Sequence, residues 1–398
     1  MPWRNLVGNR WVEIDTDALR FNLAQVRKVV APDVKILAVV KADAYGLGAV
    51  EAARVFAAEG VAMLGVTTVD EGIELREYGI KTPILVFSPF LPGEEELIIK
   101  YKLTAAVSSI SQLDDLAGKA GSNQKVPVHI KVETGMGRTG ILLENFQNFL
   151  ERARGYKHIF IEGLFTHLAQ ASQGDSFTQK QNEKFQQAVK ITKDMGLEIP
   201  CLHIANSAAT IDLPELSYDM VRVGTLLYGQ HPAQVKNKLE LRDPWKIKAR
   251  VIHVQKVPAG TSIGYGRDYI TSKGGMIAVI PLGWADGLTV SPQVYPKNFL
   301  DFLKMTAKLY LNLIDKKRSL GIIIKGKKYP LVGRLGMQLS MANVDEKVAL
   351  GDEVEVKMRR LSTNPRLPRV YFREGSAYLV RLTSGEWQIK KQAEVSNI

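Results

Sequence analysis

The feature that most constrains the fold is an alternation of short apolar runs and helical patterns between residue 11 and about residue 240. The stretches between the runs place apolar residues three and four positions apart, as amphipathic helices do. Eight strand–helix units in a row predict a parallel (β/α)₈ TIM barrel, with an open, doubly wound sheet as the alternative. The eight runs predicted to be buried strands are residues 35–41, 61–66, 84–87, 104–107, 126–132, 159–165, 202–205 and 220–223.

The pattern changes near Pro244, where strand-like segments follow one another without long helices between them. Glycine-containing turns separate these segments, which is typical of a mostly β domain. We therefore predict a barrel domain at residues 1–243 and a β domain at residues 244–398. Segment 292–317 is longer than a hairpin loop and carries a helix-like pattern. The predicted β segments are 246–256, 276–281, 322–325, 338–344 and 353–358.

Composition limits the classes of partner. The chain has 398 residues, 45% of them hydrophobic, and no apolar run approaches the ~20 residues of a membrane-spanning helix. The only cysteine, Cys201, fits a reducing compartment, and the N-terminus lacks a secretory apolar region, so we expect a cytoplasmic protein. The net charge is +12, but Lys and Arg occur along the whole chain and we find no nucleic-acid motif. We therefore expect neither a nucleic-acid nor a membrane partner.

Polar residues follow several of the predicted barrel strands at the end where each strand stops. Barrels of this class keep their active site at the C-terminal ends of their strands, often with phosphate bound after strands seven and eight. The candidate site is therefore this end of the barrel. Its candidate residues are Lys41 after strand one, Arg138 after strand five, His167 after strand six, Asn206 and Ser207 after strand seven, and Arg222, Gly224 and Thr225 at strand eight.

Lys41 ends an apolar strand and is followed by small residues, a tyrosine and two glycines. Desolvation at the mouth of an apolar pocket disfavours the ammonium form of a lysine, so its amine can condense with an aldehyde. Ser207, Gly224 and Thr225 supply a hydroxyl and backbone N–H groups that suit a phosphate monoester. Together they predict pyridoxal 5'-phosphate (PLP) as the cofactor, whereas an ordinary strand-end lysine reaching to water is the alternative.

The motifs in this order resemble the alanine racemase family, whose PLP-dependent members combine a barrel with a β domain (fold type III). The first motif and the order of the others are specific, and the match extends over nearly the whole chain. The matching segments are Val40-Lys41-Ala42-Asp43-Ala44-Tyr45-Gly46, residues 131–140, Thr166-His167, Asn206-Ser207-Ala208, Arg222-Val223-Gly224, Gly264-Tyr265-Gly266, Gly333-Arg334 with Met337, and Pro368-Arg369-Val370-Tyr371.

The resemblance implies a racemase that interconverts L- and D-alanine with two bases, in a homodimer with shared active sites that supplies D-alanine to the cell wall. Lys41 would link to PLP and act as one base, and Tyr265 of a second subunit would be the other. No metal is implied. The resemblance assigns phosphate binding to Tyr45, Ser207, Gly224 and Thr225. It assigns further cofactor contacts to Asn206, to Arg222 at the pyridine nitrogen and to His167 beside Arg222. It assigns substrate contacts to Arg138 and Met337, and it implies that Lys131 is carbamylated.

The sequence departs from the usual family pattern near the substrate entry. Gln338 stands where aspartate is common, Trp284 replaces a tyrosine, and segment 358–369 lacks the family's Tyr-Glu stretch. A changed pocket leaves a racemase for serine or a basic amino acid as an alternative to alanine. A non-catalytic PLP-binding homologue and a PLP-dependent decarboxylase are further alternatives, although Arg222 and the Tyr265 motif argue against the decarboxylase.

Overall fold

The chain forms two compact units, which are Thr16–Pro244 and the combination of Met1–Asp15 with Trp245–Ile398. This computed structural model describes residues 2–121, 125–171, 175–233, 235–290, 296, 298–314, 321–383 and 385–388. The sequence-based division assigned residues 1–15 to the barrel, but they lie in the second unit. The reason is that strand β1 (Arg10–Asp15) pairs with two strands from the C-terminal part of the chain.

The first unit is a barrel of eight parallel strands. Strands β2 to β7 each pair with the next, and β9 pairs with β2. Between β8 and β9 the Arg222 amide donates to the Ala205 carbonyl at 2.9 Å, so the barrel is nearly closed. The predicted (β/α)₈ barrel is therefore confirmed. Its strands are β2 (Lys35–Val39), β3 (Met63–Val66), β4 (Ile84–Val86), β5 (Thr104–Val107), β6 (Val126–Lys131), β7 (Ile159–Phe165), β8 (Cys201–His203) and β9 (Met220–Val223).

Helices with buried apolar stripes connect the strands. In α6, Phe146, Phe149 and Leu150 are three and four positions apart and all are buried. Asp175 is the N-cap of α7, because its carboxylate accepts the Thr178 amide at 2.9 Å. The helices of this unit are α1 (Thr16–Arg27), α2 (Ala49–Ala58), α3 (Val69–Glu77), α4 (Glu94–Lys100), α5 (Ile110–Lys119), α6 (Leu143–Arg154), α7 (Ser176–Asp194) and α8 (Ser207–Asp212).

The second unit is mostly β, as predicted. Eleven strands form one sheet in the order β11-β14-β17-β16-β15-β18-β10-β1-β19-β20-β21, and β12 pairs with β13. Segment 292–317 contains helix α9 (Phe299–Ile314). None of the helices in the described residues is long and apolar enough to cross a membrane. The strands are β10 (Trp245–Arg250), β11 (His253–Val257), β12 (Ser262–Ile263), β13 (Tyr269–Ile270), β14 (Gly275–Ile280), β15 (Gly321–Ile324), β16 (Lys327–Val332), β17 (Ser340–Val344), β18 (Glu353–Val356), β19 (Arg369–Arg373), β20 (Ser376–Leu382) and β21 (Gly385–Gln388).

Candidate active site

A cavity of about 330 Å³ lies at the C-terminal ends of the barrel strands. Ten of the residues predicted from the sequence line it, so the parallel strands do bring them together. These ten are Lys41, Tyr45, Lys131, Arg138, His167, Asn206, Ser207, Arg222, Gly224 and Thr225. The other lining residues are Val39, Phe87, Phe165, Gln170, Ala208, Pro232 and Ala233.

Lys41 begins a left-handed turn at the end of β2. Residues 42–45 all have φ between +51° and +56°, a conformation that costs roughly 1–2 kcal/mol per non-glycine residue. Hydrogen bonds hold the turn, because the Glu71 carboxylate accepts the Ala42 amide at 2.6 Å and Asp43 Oδ1 accepts the Ala49 amide at 2.9 Å. The turn therefore fixes where the Lys41 side chain leaves the backbone.

The electrostatic environment favours a neutral amine on Lys41. Burial lowers the pKa of Lys41, the nearby Arg138 guanidinium lowers it further, and Glu71 raises it. Lys131 is more strongly affected, since burial together with Arg138 and Arg222 lowers its pKa to about 8. Both amines therefore gain nucleophilic character.

Tyr45, Ser207, Gly224 and Thr225 form a small polar cradle at one side of the cavity. The Gly224 amide donates to Ser207 Oγ at 2.9 Å, and a Cβ on Gly224 would lie 2.4 Å from the Tyr45 hydroxyl oxygen. Thr225 Oγ1 is buried and has no hydrogen-bond partner within the described part of the chain. A buried hydroxyl without a partner is costly, so this cradle suits a ligand with several oxygen acceptors, such as a phosphate monoester.

Asn206 positions this cradle rather than reaching freely into the cavity. Its Oδ1 accepts the amides of Ala208 and Ala209 at 3.0 and 3.1 Å. It is therefore the N-cap of α8, and it fixes the direction in which Ser207 enters the cavity.

Arg222 is held almost completely inside the barrel. Its NH1 donates to the His203 carbonyl at 2.9 Å, and its NH2 donates to the Thr166 carbonyl at 2.7 Å and the Ile204 carbonyl at 3.1 Å. Burial lowers the pKa of Arg222 to about 9, so the guanidinium still carries its charge at neutral pH. Burial and this charge lower the pKa of the neighbouring His167 to about 3, which makes that imidazole neutral.

A line of polar contacts runs from Arg222 into the barrel interior. Arg222 NH1 lies 3.0 Å from His203 Nδ1, and because a guanidinium only donates, this nitrogen must accept. His203 is thus protonated at Nε2, which lies 2.8 Å from Nδ1 of His129. His129 is then protonated at Nε2, 3.4 Å from the Glu162 carboxylate, a charge–dipole contact rather than a hydrogen bond. A Cβ on Gly163 would lie 2.4 Å from His129 Nδ1, so glycine makes room for this line.

The sequence reasoning missed this line of contacts. Both histidines lie inside predicted strands, and both are fully buried, with pKa values lowered by burial. A polar residue in an otherwise apolar buried strand is an informative signal, because such groups need partners. That signal could have identified His129 and His203, whereas Gln170 and Phe87 on the cavity wall carry no comparable signature.

Tyr265 and Met337 lie in the second unit, where both line a groove of about 870 Å³. Trp284 and Gln338, the residues that depart from the family pattern, line the same groove. Tyr265 is 71% exposed, and it follows Gly264, whose φ of +78° belongs to the left-handed region. The predicted residues are therefore divided between two places, ten in the barrel cavity and Tyr265 and Met337 in the groove.

Comparison with known proteins gives a consistent result over both units. Family models described as "Alanine racemase, N-terminal domain" and "Alanine racemase, C-terminal domain" match residues 14–232 and 245–365. "Alanine racemase 1" of Caldanaerobacter subterraneus subsp. tengcongensis is 36% identical over 394 residues, covering 92% of this chain and 95% of the relative. Alanine racemase of Halothermothrix orenii is 37% identical, covering 86% of each chain.

A solved alanine racemase from Clostridium difficile 630 superposes with a TM-score of 0.83 at 32% identity, covering 94% of this chain and 98% of that structure. The resemblance expected from the motifs is thus confirmed, and this protein belongs to the alanine racemase family.

Proposed function

We propose that this protein interconverts L- and D-alanine with PLP as its cofactor. The observation that carries the proposal is the placement of the Lys41 amine and the cradle of Ser207, Gly224 and Thr225 in one cavity. An amine with a lowered pKa can react with an aldehyde, and the unpartnered Thr225 hydroxyl can donate a hydrogen bond to a phosphate oxygen. PLP carries both an aldehyde and a phosphate.

The chain's own residues fit this cofactor group by group. The cradle would bind its phosphate, Lys41 would bind its aldehyde carbon, and Arg222 would face its ring nitrogen. When bound, PLP withdraws electrons from the α-carbon of an amino acid, which makes the α-proton removable. Arg222 stays protonated at neutral pH and would hold a proton away from the ring nitrogen.

Racemisation needs a base on each face of the amino acid. We propose that Lys41 moves the proton on one face and that Tyr265 of a second subunit moves it on the other. Two observations support a second subunit as the donor of Tyr265. The side chain is exposed, and it lines a groove with Met337, to which the family resemblance assigns a substrate contact. The proposed assembly is therefore a homodimer with shared sites.

Arg138 would hold the substrate carboxylate, since it lines the cavity and interacts electrostatically with both Lys41 and Lys131. Carbamylation of Lys131 remains part of the proposal, because a pKa of about 8 leaves a useful fraction of neutral amine for reaction with CO₂. We further propose a cytoplasmic enzyme that supplies D-alanine to the cell wall.

The decisive experiment incubates the PLP-loaded protein with L-alanine and follows loss of optical activity by circular dichroism. Borohydride reduction followed by peptide mass spectrometry should place the cofactor on Lys41, and Lys41→Ala should lose both the label and racemisation. Lys100→Ala, at an exposed position of the barrel unit, is the matched control and should retain both. A label on another lysine would contradict the assignment of the site.

The substrate is tested separately with a panel of L-alanine, L-serine, L-lysine and L-arginine. We expect the highest kcat/KM for alanine. Faster turnover of serine or of a basic amino acid would instead favour the alternative substrates suggested by Trp284 and Gln338.

A further inference from the structure

The positive charge of the chain is concentrated in one unit. Residues 1–15 and 245–398 contain 28 Lys and Arg against 14 Asp and Glu, a net charge of +14. Residues 16–244 contain 25 against 27, a net charge of −2, and the two values add to the chain's +12. Lys and Arg do occur along the whole chain, but most of the Asp and Glu residues that balance them lie in residues 16–244. The β unit is therefore a strongly basic body.

The same unit carries an exposed apolar helix. Asn298 caps α9, because its Oδ1 accepts the Asp301 amide at 2.9 Å, so the helix has a defined start. Phe299 is 72% exposed, and its ring stacks on that of Phe302 with centroids 6.4 Å apart. Large apolar side chains on one exposed helix mark an interaction surface. The large apolar side chains of α9 that are exposed in the described part of the chain are Phe299, Leu300, Phe302, Leu303, Tyr310 and Leu311.

Two charged residues, Asp301 and Lys304, lie three positions apart on α9, so they share one side of the helix. Lys304 is exposed. The helix thus combines several exposed apolar side chains, aromatic ones among them, with an exposed lysine.

We propose that α9 lies in the surface of an anionic lipid bilayer, with its apolar face among the acyl chains. At 16 residues it is about 24 Å long, which suits a helix lying parallel to the surface. The net charge of +14 attracts the β unit to anionic headgroups, and each lysine near such a surface strengthens binding roughly fivefold.

The net charge of the β unit favours a lipid surface, rather than α9 of a second copy, as the partner of α9. Such a contact between two copies would bring two units of +14 together, whereas an anionic membrane removes this repulsion. The sequence-based expectation of no membrane partner considered only helices that span a bilayer. A helix that lies on the surface needs no such length.

The test uses the full-length, PLP-loaded protein and co-sedimentation with lipid vesicles. We expect binding to vesicles that contain phosphatidylcholine and phosphatidylglycerol, weak binding to phosphatidylcholine alone, and reversal by salt. Phe302→Trp should report insertion by a blue shift of its fluorescence and by quenching from brominated acyl chains. Equal binding to both vesicle types, or no binding to either, would overturn the proposal.

Two sets of variants distinguish vesicle binding by α9 from nonspecific binding through other exposed apolar residues. Phe299→Ser combined with Phe302→Ser and Leu303→Ser should weaken vesicle binding by about tenfold or more, with racemisation unchanged. Leu350→Ser combined with Leu361→Ser is the matched control, because these two leucines are also exposed in the same unit. Equal losses in both variants would overturn the role of α9.

The rival occupant is tested without lipid by sedimentation velocity. The triple variant should keep the oligomeric state of the parent protein. If it instead forms a smaller assembly, a second copy covers α9 and the membrane proposal is wrong.

Discussion

Gly224 shows how one missing carbon shapes the cavity. A Cβ at this position would meet the Tyr45 hydroxyl oxygen at 2.4 Å, and this contact is far too short to be accommodated without movement. We expect Gly224→Ala to weaken PLP binding by at least about tenfold, because either Tyr45 or the backbone of the cradle must shift. Titration of the cofactor-free protein with PLP, followed by absorbance, measures the effect.

Gly118→Ala is the control, since a Cβ at this position in α5 would meet nothing within 4 Å. It should leave PLP affinity unchanged and slightly stabilise the helix. Equal affinities in the two variants would show that the cradle does not bind the cofactor.

Lys131 provides a prediction on pH and stability. Its folded pKa of about 8 lies below the ordinary value of 10.5, so the buried charged form destabilises the fold fully below pH 8. The destabilisation disappears as the pH rises from 8 towards 10.5, where the unfolded chain still binds a proton that the folded protein has lost. Lys131→Met should therefore raise the free energy of unfolding by roughly 2–3 kcal/mol at pH 7 and by much less at pH 10.

Chemical denaturation in CO₂-free buffer at both pH values measures this difference, with the exposed Lys180→Met as the control. A gain in stability that is independent of pH would contradict a depressed pKa of Lys131.

At the residue scale, the sequence predicted the groups that lie at strand ends and could not predict those inside the barrel. Lys41, Ser207 and Arg222 follow from the rule that parallel strands end together. The tautomers of His129 and His203 depend on three-dimensional neighbours that belong to different strands, so no spacing along the chain encodes them.

At the scale of elements, the left-handed turn after β2 is the feature that could not be predicted from sequence patterns. Ala42 and Ala44 have no preference for positive φ, and the turn persists because hydrogen bonds with residues such as Glu71 over-determine it. The eight strands and their helices were predictable, because apolar runs indicate the strands and apolar residues three and four positions apart indicate the helices. This turn was not, since its conformation opposes local propensity.

The positive φ of Ala42 predicts that a substitution by glycine stabilises the protein, which is the opposite of the usual effect. Ala42 is exposed with φ of +52°, so Ala42→Gly should raise the free energy of unfolding by about 0.5–1 kcal/mol after the entropy of the unfolded chain is subtracted. Ala57→Gly inside α2 should lower it by about 1 kcal/mol. Thermal denaturation of the two variants distinguishes the signs, and destabilisation by both would argue against a left-handed turn in solution.

At the scale of the whole molecule, the proposed dimer makes a complementation prediction. Lys41→Ala and Tyr265→Phe should each be inactive alone. If each site takes its lysine from one subunit and its tyrosine from the other, random mixing after mild dissociation gives half heterodimers, each with one intact site. Activity should therefore recover to about a quarter of the parent value. A mixture that re-forms dimers and stays inactive would contradict shared sites.

The second unit also contains a strand drawn from the opposite end of the chain. Strand β1 is synthesised well before its partners β10 and β19, which begin at residues 245 and 369. The barrel that separates them in the sequence can fold during synthesis, while both edges of β1 stay unpaired. The two ladders that include β1 therefore close only after the barrel has been made, and chain release before that point leaves an unpaired strand exposed.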